Sequence, residues 1–422
     1  MSRDEIAEFR NRQLQALVAH AYENVPYYRG LFDKNGLRPE DIRTAADLAA
    51  IPITTKQDLF GRPEGDLIAS GRDPRRLVIR ITSGSTGEPT IIRRTVPEEA
   101  LLRAFRFRAM RGFGLRLPDR RVGIVLVRSE DHRAPWIGLR IYRAVTQFRT
   151  VRIHCLLEPA DIVRALREIR PHIITGFSSS LARVARCMGD EARGLITPRF
   201  IAAGGEVLTP RMREQIGDGF NARVFETYGS HELGLIGWEC KETAELHTCD
   251  DGTIVEVLKD GRPAGPGEEG ELVGTNLHAF AMPFIRYRLG DVVRNGSPRC
   301  RCGQPFATIR EVQGRIVEYF ELPDGRILHP WEIVLVFFRT APWIRQYQLV
   351  QERQGRIILR AVAGVIPSPR DLAFLTEAVG TILGPEVEFT VELVPEIRPE
   401  PSGKVRVFQS LATAGGPSAF RA

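Results

Sequence analysis

A run of small polar residues near position 85 has the composition of an anion-binding loop. The stretch ITSGSTGEPT, residues 81–90, places six Ser, Thr or Gly residues in succession after a hydrophobic run. Glycines let backbone N–H groups approach an anion closely, and the hydroxyl groups add further donors. No lysine follows Gly87, so the stretch is not the GxxxxGK[ST] loop of P-loop NTPases. We predict that it binds phosphate, the alternative being a solvated turn.

Four of the six cysteines fall in one segment of the chain that also contains a histidine. The segment carries Cys240, His247, Cys249, Cys300 and Cys302. Two such groups, roughly 50 residues apart, are typical of a structural Zn²⁺ site, and in a reducing compartment clustering favours a metal over disulfides. Five candidates compete for four positions. We expect Cys240, His247, Cys300 and Cys302 to bind the ion and Cys249 to be left over, the alternative being reduced thiols without a metal.

The basic residues of this chain are strongly biased towards arginine. Only 5 of the 59 basic residues are lysines, which leaves 54 arginines. Lys404, in the turn PSGKVR near the C-terminus, is therefore a candidate for a site that requires a compact ammonium group rather than a planar guanidinium. The alternative is a turn lysine without a role.

Buried strands that end in polar loops recur through the middle of the chain. The continuous apolar run RVGIVLVRS is typical of a buried parallel strand, and RFIAAGGEV and ARVFETYGSHELG each predict a strand followed by a glycine-bearing loop. The stretch from Asp161 to Met188 predicts helix, strand, loop and helix. Strands alternating with helices predict a parallel α/β sheet, and such sheets bind ligands beyond the carboxyl ends of their strands.

The character of the sequence changes at both ends of this segment. Residues 1–60 have helical periodicity, interrupted at Pro26. After residue 250, short strands joined by Gly-rich turns predict a β-rich subdomain. From about residue 320 the pattern predicts a small α+β domain. We therefore expect a large α/β domain over residues 1–315 and a small C-terminal α+β domain over residues 316–422.

Cys155 and Cys187 lie in apolar surroundings, which predicts two buried thiols.

The composition limits the classes of function. A net charge of +7 and a pI of about 9.3 suggest a nucleic-acid partner, but the arginines are scattered without a basic stripe, which favours a solvated surface. No stretch approaches the roughly 18 uncharged apolar residues of a membrane span, and the N-terminus lacks a signal-peptide core. We expect a cytoplasmic protein with no membrane or nucleic-acid partner, a homodimer being left open.

Taken in order along nearly the whole chain, five motifs resemble those of the adenylate-forming enzymes, the superfamily of acyl-CoA synthetases and related ligases. Within it the chain is most similar to the phenylacetate-CoA ligase branch and its capsule-biosynthesis relatives, which it also resembles in AYENVPYYRGLFDKNG and IPITTKQDL. The motifs are the 81–90 loop, ETYGSHELG, RYRLGDVV, QGRI and PEPSGKVRV.

The resemblance implies a nucleotide site assembled from these motifs. The loop would close over the β- and γ-phosphates of ATP, with a glutamate, Glu88, where the family often has lysine. The AAGGE stretch would line the adenine pocket, Tyr228 would stack on the base, and Asp291 would accept hydrogen bonds from both ribose hydroxyls. Arg315 would lie near the ribose and the α-phosphate. The implied nucleotide-binding residues are Ser83, Gly84, Ser85, Thr86, Gly87, Thr90, Gly204, Gly205, Glu206, Tyr228, Gly229, Ser230, Asp291 and Arg315.

The resemblance also implies the reacting groups and the chemistry. Glu232 would help to hold Mg²⁺, His231 would face the substrate, and Lys404 would reach the carboxylate and α-phosphate oxygens during adenylation. The expected reaction is activation of an aryl or aryl-alkyl acid by ATP to acyl-AMP, followed by transfer to CoA. The expected cofactors are ATP, Mg²⁺, CoA and structural Zn²⁺. Two alternatives are transfer to an amine or carrier protein, and a zinc-stabilised nucleotide-binding protein without ligase activity.

Overall fold

The computed structural model describes most of the chain as two compact units. The first unit contains the described residues up to 80 and from 91 to 314, and the second contains Ile81 and those from 320 onward. Among the described residues, no helix combines the length and low charge that crossing a bilayer requires. The described residues are 1–59, 61–81, 91–125, 127, 149–155, 157–314, 320–328, 330–397 and 408–411.

Two N-terminal helices cover part of the core of the first unit. Helix α1, Arg3–Asn24, begins at a capping box in which Ser2 accepts from the backbone N–H of Glu5 and the Glu5 carboxylate accepts from that of Ser2. Its fully buried residues Leu14, Leu17, Val18 and Ala21 follow the i, i+3, i+4, i+7 spacing of one helix face. Pro26, where the sequence predicted an interruption, is the first residue of α2, Pro26–Lys34.

The remaining helices of the first unit are short except for one that precedes the main sheet. Helix α5 begins at Thr95, whose side chain accepts from the backbone N–H of Glu98, and it ends at Gly114 in the left-handed conformation. These helices are α3 Lys56–Leu59, α4 Glu64–Leu67, α5 Val96–Phe113, α6 Pro159–Ile169, α7 Ser178–Arg186, α8 Asp190–Leu195 and α9 Pro210–Phe220, with 3₁₀ turns at Pro39–Asp41, Ala45–Ala50 and Pro74–Arg76.

Most strands of the first unit belong to one sheet of twelve strands, in the order β11-β10-β12-β13-β14-β9-β8-β7-β6-β5-β3-β4. Strands β1, Val78–Ile81, and β2, Ile91–Arg94, form a separate pair. The twelve strands are β3 Arg121–Val125, β4 Thr150–His154, β5 Ile173–Gly176, β6 Phe200–Gly204, β7 Arg223–Ser230, β8 Gly234–Glu239, β9 Leu246–Thr248, β10 Thr253–Lys259, β11 Arg262–Pro263, β12 Glu269–Asn276, β13 Tyr287–Asn295 and β14 Thr308–Gly314.

The sheet has a parallel half and an antiparallel half. Strands β3 to β7 pair in parallel, whereas all pairs from β7 through β8 to β11 are antiparallel. Strands β9 and β14 share only the pairs Thr308↔His247 and Ile309↔Leu246. The alternation of strands and helices, followed by a β-rich segment, confirms the fold class predicted from the sequence.

The second unit is a small α+β fold with its own core. Its four-stranded sheet has the order β19-β18-β17-β20, and β15 pairs with β16 in a separate hairpin. Fully buried residues such as Leu349, Leu359, Leu375 and Val379 pack the helices on the sheet. The elements are β15 Phe320–Glu321, β16 Ile327–Leu328, α10 Trp331–Thr340, β17 Ile344–Arg353, β18 Arg356–Ala363, α11 Pro369–Leu383, β19 Glu388–Leu393 and β20 Phe408–Ser410.

The two cysteines that the sequence predicted as core thiols differ in environment. Cys155 is buried, but Cys187 is exposed, so the prediction is wrong for Cys187. Cys187 is the C-cap residue of α7, one position beyond Arg186. Its apolar neighbours in the sequence lie on the buried face of the helix, whereas the cap position turns towards solvent.

Candidate functional site

The structure joins two predicted nucleotide-binding residues that lie 63 positions apart in the chain. The Oη atom of Tyr228 donates a hydrogen bond of 2.7 Å to Oδ2 of Asp291. Tyr228 lies near the end of β7, the last parallel strand, and Asp291 lies in β13. The aromatic face and the carboxylate therefore belong to one local site.

Glycines in irregular strand positions orient both members of this pair. On β13, the three residues Leu289, Gly290 and Asp291 lie opposite the single residue Leu272 of β12, and Gly290 has φ +82°. This bulge directs Asp291 out of the regular alternation of the strand. On β7, a Cβ atom at Gly229 would lie 2.4 Å from the carbonyl oxygen of Gly234, so the close strand approach next to Tyr228 requires glycine.

The predicted adenine-pocket stretch lies at the carboxyl end of β6, beside β7. A Cβ atom at Gly204 would lie 2.5 Å from the carbonyl oxygen of Thr227, and one at Gly205 would lie 2.9 Å from the ring of Phe177. Both glycines therefore allow a close approach of the chain. The Glu206 carboxylate accepts from the backbone N–H of Ser179, 2.9 Å away, in the first turn of α7. Glu206 thus stabilises the start of α7.

The end of β7 and the turn that follows it carry the predicted Ser230, His231 and Glu232. The hydroxyl of Ser230 accepts from the backbone N–H of Leu233 at 3.0 Å, which forms a tight turn. Glu232 is buried, with 5% of its surface exposed. Its carbonyl oxygen accepts from Nδ2 of Asn276 at 3.1 Å, which ties the turn to the end of β12. The sequence did not single out Asn276.

A buried arginine holds the same turn from the other side. Nη2 of Arg94 donates to the carbonyl oxygen of His231 and lies 3.4 Å from that of Glu232. Nη1 of Arg94 pairs with Oε2 of Glu99 at 3.2 Å, and Arg80 pairs with Oε1 of the same carboxylate. Sequence analysis missed these residues. The one available signal was their position, since Arg80 and Arg94 flank the 81–90 stretch.

The charge of Glu99 is strongly stabilised by its neighbours. Burial by itself would raise the pKa of Glu99, but Arg80, Arg94 and Arg103 more than offset this effect and lower the pKa to about 2. The carboxylate is therefore ionised at neutral pH and pairs with several guanidinium groups.

The four predicted metal ligands converge in space. The ligand atoms of Cys240, His247, Cys300 and Cys302 all lie within 4.8 Å of one another. The Sγ atoms of Cys240 and Cys300 are 3.7 Å apart, and Sγ of Cys302 lies 3.3 Å from Nε2 of His247. A tetrahedral ion with Zn–S bonds of about 2.3 Å places its ligand atoms roughly 3.5–3.8 Å apart, so the donor set and its spacing fit Zn²⁺.

The fifth candidate lies outside this cluster. Cys249 is fully buried in the core between α5 and the sheet, and its Sγ lies 3.4 Å from Nη2 of Arg108. Burial and the nearby Asp251 raise the pKa of the Cys249 thiol well above its usual range, against the opposing effect of Arg108. A thiol with this pKa stays protonated at neutral pH, which fits a core residue.

Several predicted residues lie outside the part of the chain that the structure describes. They belong to the 81–90 loop, the QGRI motif and the PSGK turn. These residues are Ser83, Gly84, Ser85, Thr86, Gly87, Thr90, Arg315 and Lys404.

Comparison with a solved structure identifies the fold. A solved structure of 2-hydroxyisobutyryl-CoA ligase, in complex with 2-HIB-AMP and CoA in the thioesterification state, has a TM-score of 0.68 and 21% identity to this chain. The similarity covers 97% of this chain and 91% of that one. The chain therefore has the fold of this acyl-CoA ligase.

Sequence comparison gives the family. The phenylacetate-coenzyme A ligase of Escherichia coli (strain K12) is 30% identical over 308 residues, which cover 69% of this chain and 67% of that protein. The enzyme of the same name from Thermus thermophilus is 26% identical over 369 residues, or 85% and 80% of the two chains. No family model matches the chain. The protein belongs to the phenylacetate-CoA ligase family, which confirms the resemblance seen in its motifs.

Proposed function

We propose that the protein is an AMP-forming acid–thiol ligase that converts a carboxylic acid to its CoA thioester. The acid would be aryl or aryl-alkyl, the class to which phenylacetate belongs. The observation that carries the proposal is the Tyr228–Asp291 hydrogen bond at the carboxyl end of the parallel strands, in a chain of this family. An aromatic face beside a carboxylate suits a nucleoside, whose base stacks and whose ribose donates hydrogen bonds.

The proposed reaction has two steps. In the first, a carboxylate oxygen of the acid attacks the α-phosphorus of ATP, and the bond from that phosphorus to the bridging oxygen breaks to release pyrophosphate. In the second, the CoA thiolate attacks the acyl carbon and AMP leaves with the bonding electrons. The first step is needed because a free carboxylate is a poor acyl donor, whereas AMP is a good leaving group.

The roles of individual residues are part of the same proposal. Tyr228 stacks on adenine against the chain at Gly204 and Gly205, and Asp291 accepts from the ribose hydroxyls. Lys404 supplies positive charge between the carboxylate and the α-phosphate, two anions that repel each other. Residues 1–315 would form the AMP-binding domain, and residues 316–422 the lid domain.

Two metal ions belong to the proposal. Glu232 offers carboxylate oxygens, which suit Mg²⁺, and the ion would neutralise charge on the phosphates. Cys240, His247, Cys300 and Cys302 would hold Zn²⁺ in a closed site, since four protein ligands leave no open position. The role of Zn²⁺ there would be structural.

An ATP–pyrophosphate exchange assay tests the proposal. Exchange of labelled pyrophosphate into ATP should require an acid, and we expect activity with at least one member of a panel of aryl and aryl-alkyl acids. The release of AMP should then depend on CoA. A dependence on an amine or carrier protein instead would favour the rival acceptor, and no exchange with any acid would exclude adenylation.

A further inference from the structure

Glu99 connects three segments of the first unit through its carboxylate. Oε1 accepts from Nε of Arg80 at 3.1 Å and lies 3.6 Å from Nε of Arg103, one helical turn further along α5. Oε2 pairs with Nη1 of Arg94 at 3.2 Å. The Glu99 side chain is 8% exposed and that of Arg94 is 5% exposed. Water therefore competes weakly for these charges, and the pairs are strongly directional.

The two strand arginines of this group flank the predicted phosphate loop. Arg80 lies in β1, immediately before the 81–90 stretch, and Arg94 is the last residue of β2, which follows it. A single carboxylate at the start of α5 thus pairs with one arginine from each of these two strands. The same arginine, Arg94, donates to the carbonyl oxygen of His231 and reaches towards that of Glu232.

We infer that Glu99 and Arg94 are positioning residues of the nucleotide site. They hold β1, β2 and the His231–Glu232 turn in one arrangement, which keeps the Glu232 carboxylate in position for MgATP. The inference rests on the proposed function and adds to it residues outside the family motifs. Neither residue is assigned contact with substrate.

The chemistry of the two side chains explains why they are suited to this task. The planar guanidinium of Arg94 can bind a carboxylate on one edge and a carbonyl on another, which the ammonium of lysine cannot do in the same geometry. Loss of the Glu99 charge would leave a buried guanidinium without its partner, which is unfavourable and would shift Arg94. The turn that carries Glu232 would then lose the contact with Arg94 and keep the hydrogen bond from Asn276.

Steady-state exchange kinetics of Glu99→Gln and Arg94→Lys test the inference. We expect each variant to raise the KM for MgATP about tenfold or more and to require more Mg²⁺ for half-maximal activity, while the KM for the acid changes less than about threefold. The effects in the double variant should be less than additive, because both changes disrupt one arrangement.

The adjacent glutamate provides the matched control. Glu98 is buried as well, but it accepts from the backbone N–H groups of Phe280 and Ala281, each at 2.8 Å, and from that of Thr95. Glu98→Gln should lower the Tm without changing the KM for MgATP. If Glu99 had only a structural role, its variants would behave in the same way.

If Glu99→Gln and Arg94→Lys do not fold, the milder variant Arg80→Gln still tests the inference. Arg80 is 22% exposed, and Arg80→Gln leaves the Arg94–Glu99 pair in place. We expect it to raise the KM for MgATP about threefold to fivefold. A KM for MgATP within about twofold of wild type in every folded variant would overturn the inference but not the proposed function. Wild-type protein that exchanges pyrophosphate with no acid would overturn both.

Discussion

Tyr228 and Asp291 form a 2.7 Å hydrogen bond although their strands are four positions apart in the sheet. In a flat sheet, β7 and β13 would be separated by about 19 Å, which is more than these two side chains can span. The sheet must therefore curl between β7 and β13. The curl brings a side chain from each half to the same site, and the nucleotide chemistry proposed for the protein depends on it.

The pairing of Asp291 with ribose predicts discrimination between nucleotides. Wild-type protein should use ATP in the exchange assay with a kcat/KM roughly 100-fold higher than that for 2′,3′-dideoxy-ATP, because a carboxylate left without its donors is costly. Asp291→Asn should reduce this ratio to below about tenfold, mainly by impairing the use of ATP. Equal use of both nucleotides by wild type would contradict the assigned role.

The role of the Tyr228 hydroxyl can be tested with a matched control at a second tyrosine, Tyr22. Tyr228→Phe keeps the stacking ring but removes the hydroxyl that orients Asp291, and we expect it to raise the KM for ATP about threefold to tenfold. Tyr22 also donates to an aspartate, with Oη 2.9 Å from Oδ1 of Asp33, but on the surface of α1 and α2. Tyr22→Phe should leave the KM for ATP unchanged.

The metal cluster predicts about one Zn²⁺ per chain. Cys300→Ser should lose most of the metal, measured by mass spectrometry of the purified protein, and should also lower the Tm because the ion joins separate segments. Cys249→Ser should retain the metal, since that thiol lies by Arg108 and outside the cluster. Full metal content in Cys300→Ser, or protein prepared with zinc that contains none, would refute the site.

The pKa of a second carboxyl near Tyr228 predicts a dependence of stability on pH. Burial raises the pKa of Glu226 to about 7 against the opposing charge of Arg213, and the neighbouring Glu239 and Glu311 carboxylates add to the increase. From the unfolded value of about 4.3 up to about 7, the folded protein binds more protons than the unfolded chain. The free energy of unfolding should therefore decrease as the pH rises through this window.

Replacement of Glu226 by a residue that does not titrate should reduce the dependence of the free energy of unfolding on pH. The free energy of unfolding of Glu226→Gln, minus that of wild type, should increase by on the order of 2 kcal/mol from about pH 5 to pH 8. Urea denaturation at each pH measures this difference. Glu392→Gln, at an exposed ion pair with Arg360 in the second unit, serves as the control and should follow the wild-type curve. Parallel curves for Glu226→Gln and wild type would show that Glu226 does not titrate in this range.

The role proposed for Lys404 predicts that its substitution impairs the adenylation reaction far more than the binding of ATP. Lys404→Arg should lower kcat for acid-dependent exchange by about 100-fold, because the broader guanidinium cannot replace a compact ammonium between two anions. The Kd of ATP, measured by calorimetry, should change less than about threefold. Lys259→Arg, at an exposed pair with Glu268, is the matched control. An equal loss of binding and of turnover would count against the role of Lys404.

The elements of the site were largely predictable from local sequence. The apolar runs that become β3, β6 and β7 end in polar or glycine-bearing loops, so the pattern predicted both the strands and their polar ends. The convergence of Cys240, His247, Cys300 and Cys302 was predictable because cysteine and histidine are rare and their spacing is specific. For the strands, the information lies within a few residues of the position concerned.

The contacts between distant segments were not predictable in this way. Glu99 lies in an ordinary helical stretch directly after another glutamate, Glu98, and only the folded chain places Arg80 and Arg94 around one of the two. The bond from Tyr228 to Asp291 depends on the curl of the sheet and on the bulge at Gly290. Cys187 shows the converse error, since apolar neighbours in sequence do not bury a residue at a helix end.

The four ligands of the metal cluster come from two stretches of chain separated by β10 to β13. Cys240 and His247 are synthesised early, but the set is complete only when residue 302 of 422 has left the ribosome. Until then the nascent chain has half a site, with too few donors to retain an ion. Loading with Zn²⁺ would thus be a late event in biosynthesis, and a cell short of the metal would accumulate chains in which the two ligand-bearing stretches had been made but not yet joined by the ion.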